Sequence, residues 1–72
     1  MGFFTKKTEE NEEKKSLQMI AMEYNLFETY HNEGDTERAK ISFDRIKSAL
    51  ERHKSIYGTS QIPDDWLDAF GV

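Results

Sequence analysis

TERAKIS (36–42), FDRIKSA (43–49) and LERHKSI (50–56) are three consecutive seven-residue units, and Tyr57 follows them. A seven-residue repeat keeps one stripe of a helix facing a partner helix. The second and third units begin with Phe43 and Leu50, and Tyr57 continues this series. The fourth positions of the three units hold Ala39, Ile46 and His53. The repeat therefore predicts a helix over residues 36–57 that packs against another helix.

The partner helix is predicted over residues 8–32. Thr8 is a candidate N-cap, because a threonine hydroxyl can accept a hydrogen bond from the first turn. An apolar stripe with alternating spacings of three and four residues runs along this helix through Leu17, Ile20, Tyr24, Phe27 and His31. Gly34 can end the helix and Asp35 can cap the next one, so the connection is short. Two long helices joined by a short connection lie antiparallel.

A second apolar stripe on the first helix is expected roughly opposite the first stripe. It contains Met19, Met22, Leu26 and Tyr30. One hairpin cannot cover both stripes, so we expect this one to be covered by the C-terminal tail or to form the interface with a second copy of the chain.

The tail, residues 58–72, is predicted to contain a short helix that Pro63 opens and Gly71 closes. Its apolar residues Trp66, Leu67 and Phe70 either cover the core or dock into a partner protein, because an acidic amphipathic segment suits both roles. At the other end, residues 1–7 are expected to be a flexible lead.

The composition predicts one small domain of 72 residues without disulfide bonds or thiolate chemistry, because the chain has no cysteine. No apolar run reaches the length of about 18 residues that spans a bilayer, so no membrane segment is expected. Together these features favour the cytoplasm.

No residue of the chain is predicted to be catalytic, to bind a cofactor or to ligate a metal. His31 and His53 lie on the predicted hairpin about 20 to 30 Å apart at 1.5 Å per residue, so they cannot share a proton or a metal ion. Each occupies the seam between helices, where a histidine usually forms a structural hydrogen bond. Ser42, Ser48, Ser55 and Ser60 lack a neighbouring base that the predicted geometry would hold in place, and a non-enzymatic protein is therefore expected.

One site on the second helix is a candidate for docking a partner protein. Ile41 lies away from the seam, flanked by Arg38, Arg45 and Arg52 at seven-residue spacing, and arginine is enriched at protein interfaces.

Residues 36–57 carry six basic against three acidic side chains, so this helix could alternatively bind along nucleic-acid phosphates. The whole chain, however, carries a net charge of −4.

The spacing Leu26-x3-Tyr30-x3-Gly34-Asp35-x3-Ala39-x3-Phe43 resembles one tetratricopeptide repeat, a helix-turn-helix unit of protein-interaction arrays. The chain departs from that family's pattern at Glu23, Phe27 and Ile46. The resemblance implies an antiparallel hairpin and partner binding, and it transfers no binding residues.

These observations predict an all-α fold: a long antiparallel hairpin with a short C-terminal helix, which dimerises into a four-helix assembly. The expected function is that of a small adaptor or inhibitor that binds a partner protein. Two alternatives remain open: a dimeric DNA-binding regulator that uses the basic second helix, and a structural subunit of a larger phage or bacterial assembly.

Overall fold

The fold is an antiparallel hairpin of two long helices with a short third helix packed against it. A computed structural model describes the backbone of residues 2–72 and the side chains of residues 11–72. Helix α1 spans Gly2–Asn32, α2 spans Thr36–Tyr57 and α3 spans Asp64–Phe70. Contacts between residues far apart in sequence, such as Glu13 with His53 and Glu23 with Arg45, establish the antiparallel packing. The predicted all-α class and hairpin are therefore confirmed.

Helix α1 begins earlier than predicted, and the start at Thr8 is wrong. The helical backbone runs from Gly2, which places Thr8 inside the helix and gives most of the expected flexible lead a helical backbone. The physical reason is that residues 3–8 contain neither glycine nor proline to interrupt a helix. In addition, Lys6 and Lys7 are good helix formers. An interior threonine costs a helix at most about 0.7 kcal/mol, so its capping preference alone does not stop the helix.

The connection between α1 and α2 is fixed by backbone hydrogen bonds and one carboxylate. The Asp35 amide donates to the Tyr30 carbonyl at 2.9 Å and the Gly34 amide donates to the His31 carbonyl at 3.1 Å, the pair of bonds that defines a Schellman motif. Gly34 has a φ of 77°, in the left-handed region that favours glycine. The Asp35 carboxylate then accepts from the Arg38 amide at 3.2 Å and caps α2. The sequence prediction for this turn is confirmed.

Helix α3 covers the core on one side of the hairpin. The buried core cluster contains Ile20, Ile46, Leu50, Ile62 and Phe70. The Phe70 ring lies 4.7 Å from the Phe43 ring and 5.6 Å from the Tyr24 ring, measured between centroids. Trp66 stacks on Tyr24 at 5.8 Å. The third helix therefore bridges α1 and α2 through aromatic contacts.

The tail covers the hairpin seam and leaves the second stripe of α1 open. Phe70 is only 3% exposed, so its side chain belongs to the core, and its predicted role in docking a partner is corrected. Trp66 and Leu67 are half-buried against the same core. Because these rings pack on Tyr24 and Phe43, they leave Met19 and Met22 in solvent.

Candidate protein-docking groove

A groove runs between α1 and α2 on the side of the hairpin away from α3. At 100° per residue, Met19 points about 140° away from Tyr24, and Arg45 points about 160° away from Phe43. Tyr24 and Phe43 hold α3, so Met19 and Arg45 face the other side. A cleft of about 500 Å³ lies there between the two helices.

The larger cleft has an apolar floor and charged edges. Its principal apolar lining residues are Met19, Ile20, Ala49 and Ile56, and its charged lining residues are Glu12, Lys15, Glu23, Arg45 and Arg52. A smaller cleft of about 200 Å³ continues toward the turn and shares Glu23 and Arg45 with the larger one. Leu26, Tyr30, Arg38 and Ile41 line this second part. The two clefts together are called the hairpin groove below.

The groove combines two surfaces that the sequence analysis treats as separate. Leu26 and Tyr30 belong to the predicted oligomer interface, whereas Arg38 and Ile41 belong to the predicted partner-binding strip, and all four line one cleft. Met19 borders the groove beside buried Ile20, so the second stripe meets the groove at the edge of the hairpin core.

Large apolar side chains are exposed along this side of the molecule. The exposed fractions are 70% for Met19, 68% for Met22, 61% for Ile56, 52% for Ile41 and 45% for Leu26. All but Met22 line the hairpin groove. Scattered exposed apolar residues are ordinary, but a contiguous set flanked by charges is typical of an interaction surface.

The arginines on the α2 edge of the groove make ion pairs at its surface. Arg45 lies 3.7 Å from the Glu23 carboxylate, and Arg38 lies 3.5 Å from the Asp35 carboxylate. The Arg38 guanidinium also lies 5.9 Å from the centre of the Tyr30 ring. Both arginine side chains remain about 70% exposed, so these pairs are screened by solvent and contribute little to stability. Their charges remain accessible to a partner.

Glu23 occupies the point where the two clefts meet. Among the side chains that the structure describes, none donates a hydrogen bond to its buried Oε1 atom, and the Arg45 nitrogen of the ion pair is 3.7 Å away, beyond hydrogen-bond distance. The contact is therefore a charge pair without a hydrogen bond. A donor brought in by a partner would have to displace neighbouring side chains to reach this oxygen.

At the larger cleft, His53 joins α2 to α1 through contacts with two side chains of α1. Its Nδ1 lies 2.8 Å from Ser16 Oγ and its Nε2 lies 3.2 Å from Glu13 Oε2, while the residue is 1% exposed. The predicted structural role of His53 is confirmed by these bonds. Ser16 lies inside α1, where the backbone amides are bonded within the helix, so they offer no donors for an oxyanion. The arrangement is a polar clamp between helices.

His31 lies at the other end of the hairpin and is exposed, with its ring stacked on Phe27 at 6.0 Å between centroids.

Across residues 11–72, no group of three or more histidine, aspartate or glutamate side chains is arranged to hold a metal ion. None of the described helices combines the length and the apolar character needed to cross a membrane.

Several groove residues were not predicted as site residues, and Ile56 and Glu23 are the most informative of them. Ile56 is 61% exposed and lines the larger cleft, and its position four residues after Arg52 was an available signal. Glu23 was treated only as a departure from a repeat pattern, although it lines both clefts.

No protein-family model, curated protein or solved structure matches this chain.

Proposed function

We propose that this protein is a small, non-enzymatic interaction module, of the adaptor or inhibitor type, that binds a partner protein in the hairpin groove. One observation carries the proposal: four large apolar side chains, each at least 45% exposed, line two adjoining clefts between α1 and α2 that share Glu23 and Arg45. They are Met19, Leu26, Ile41 and Ile56.

The energetics of the groove support a binding role. Transferring one large apolar side chain from water into an interface contributes about 1.5–3 kcal/mol. Four such side chains in one groove can therefore offset a large part of the cost of association, which is about 4–15 kcal/mol. The charged edges add specificity, because a partner must match their signs. The resemblance to a tetratricopeptide unit agrees with this role but adds no binding residues.

Homodimerisation through Met19, Met22, Leu26 and Tyr30 remains a proposal that competes with partner binding. Leu26 and Tyr30 line the same cleft as Arg38 and Ile41. A second copy seated there would therefore cover the predicted docking strip. The two occupants exclude each other, so the groove serves either a four-helix dimer or a partner protein.

Site-specific photo-crosslinking in the cells that make the protein tests the proposal. A benzophenone amino acid replaces Ile41 in the groove in one variant, and replaces exposed Lys47, about 120° around α2 from Ile41, in a control. We expect a discrete cross-linked species containing a different protein from the Ile41 position and none from the Lys47 position. Equal cross-linking from both positions, or none from either, contradicts partner binding in the groove.

DNA binding is a second candidate, favoured by the row of Arg38, Arg45 and Arg52 along the groove edge. Glu12 and Glu23 line the same groove and would lie close to phosphates, which weighs against it. The candidate predicts retention on DNA at low salt that falls steeply as salt rises and is lost in Arg45→Glu. No retention at low salt dismisses it.

A structural subunit of a larger assembly would also use the exposed apolar side chains. This candidate predicts that the purified chain forms open-ended aggregates, which light scattering after size exclusion detects. A discrete monomer or dimer over a wide concentration range argues against it.

A further inference from the structure

We infer that the occupant of the hairpin groove is an acidic amphipathic helix of a partner protein. This inference rests on the proposed function and specifies the chemistry of the partner. Its basis is the juxtaposition of an apolar floor with a basic edge that is one helix long.

The described lining residues give the groove a charge opposite in sign to that of the chain. Four basic residues, Lys15, Arg38, Arg45 and Arg52, line it against two acidic residues, Glu12 and Glu23, for a net charge of +2. The complete chain carries −4. The groove is therefore a basic surface on an acidic protein, and charge complementarity favours an acidic occupant.

The spacing along the groove matches one face of a helix. Arg38, Arg45 and Arg52 are seven residues apart, which is about 10.5 Å along α2 at 1.5 Å per residue. A helix lying alongside with Asp or Glu at every seventh position meets each arginine in turn. Between the charges, Met19, Leu26, Ile41 and Ile56 receive an apolar stripe spaced by three and four residues. From Arg38 to Arg52 the edge is about 21 Å long, or four helical turns.

A second copy of the chain fits less well. Face-to-face packing of two identical grooves brings two surfaces of charge +2 together. When α2 crosses α2 of the other copy in such a dimer, Arg45 approaches its own counterpart. Like charges across an interface lower the affinity for that partner, whereas an acidic helix faces four basic lining residues against two acidic ones, Glu12 and Glu23.

Isothermal titration calorimetry with two synthetic peptides tests the inference. Each peptide has about 21 residues in three heptads, with leucine at the first and fourth positions. One carries glutamate at the flanking positions, and its twin carries lysine there, so like charges keep each peptide from pairing with itself. The protein is the full chain, titrated in low-salt and high-salt buffer.

We expect the glutamate peptide to bind at least about 10-fold more tightly than the lysine twin at low salt, with a smaller ratio at high salt because ions screen the exposed arginines. Arg52→Glu should weaken the glutamate peptide by about 10-fold or more. The matched control is Lys54→Glu, which makes the same charge change two residues away, about 200° around α2, and should change the affinity by less than about two-fold. Circular dichroism of both variants checks that they remain helical.

Several results would overturn the inference. Equal or tighter binding of the lysine twin excludes an acidic occupant. If Ile41→Glu then abolishes the binding of the lysine twin, the groove still binds a helical peptide and the proposed function stands. No binding of either peptide, or equal losses in Arg52→Glu and Lys54→Glu, also excludes it. A dimer of the lone chain that Ile41→Glu dissociates makes a second copy the occupant. Arg52-dependent retention on duplex DNA makes it a nucleic acid.

Discussion

At the scale of single residues, the His53 clamp is the buried polar contact with the clearest consequence. Ser16→Ala removes the hydroxyl 2.8 Å from His53 Nδ1 and leaves a buried ring nitrogen without its partner. Such a loss costs about 1–3 kcal/mol. We expect urea denaturation to show this decrease in the free energy of unfolding, whereas Ser48→Ala on the exposed surface of α2 should change it by less than about 0.5 kcal/mol. Equal effects of the two substitutions would refute the clamp.

Gly34 is the residue whose backbone conformation is required by the turn. A Cβ added there meets no described atom within 4 Å, so the cost of Gly34→Ala comes from its φ of 77° and not from a clash within residues 11–72. We expect Gly34→Ala to lower the free energy of unfolding by about 1–2 kcal/mol. Gly34→Asn should cost less, because asparagine tolerates the left-handed region better. Chemical denaturation of both variants measures the difference, and an alanine variant as stable as the native chain contradicts the strain.

At the scale of the element, Phe70 is the buried side chain of α3. Phe70 is 3% exposed and contacts rings from both α1 and α2. Truncating a buried phenylalanine costs about 3–5 kcal/mol, so we expect Phe70→Ala to release α3 and lower the thermal midpoint markedly. Asp68→Ala on the exposed side of the same helix serves as the control. If Phe70→Ala unfolds no more easily than Asp68→Ala, α3 does not hold the hairpin together.

The sequence predicts some elements better than others for physical reasons. The bounds of α2, Thr36–Tyr57, were predicted because the seven-residue repeat and the cap at Asp35 agree, and the structure adds Gly58 as the C-cap. The start of α1 was missed because its first residues have no marked breaker. The side of the hairpin on which α3 lies depends on the path of residues 58–63, which no helical repeat describes. For that reason the sequence identified only part of the groove lining and did not show that those residues share one side of the hairpin.

At the scale of the whole molecule, the proposed binding surface and the contacts of α3 lie on opposite sides of the hairpin, so substitutions of exposed groove residues should affect binding and stability separately. Ile41 is 52% exposed and lines the groove, whereas the aromatic contacts of α3 lie on the other side. We expect Ile41→Glu to abolish partner binding while changing the free energy of unfolding by no more than about 0.5 kcal/mol. Calorimetric binding and urea denaturation on the same preparation measure both quantities. A large loss of stability in Ile41→Glu would show that this side chain supports the fold.

The stacking of Trp66 on Tyr24 gives the molecule a built-in optical reporter. The chain has one tryptophan, and it lies on the α3 side of the hairpin. Its intrinsic fluorescence emission should shift to longer wavelength when α3 detaches and water reaches the indole. An occupant of the groove, on the far side, should leave that emission nearly unchanged. One spectrum can therefore distinguish loss of α3 docking from occupation of the groove without any label on the protein.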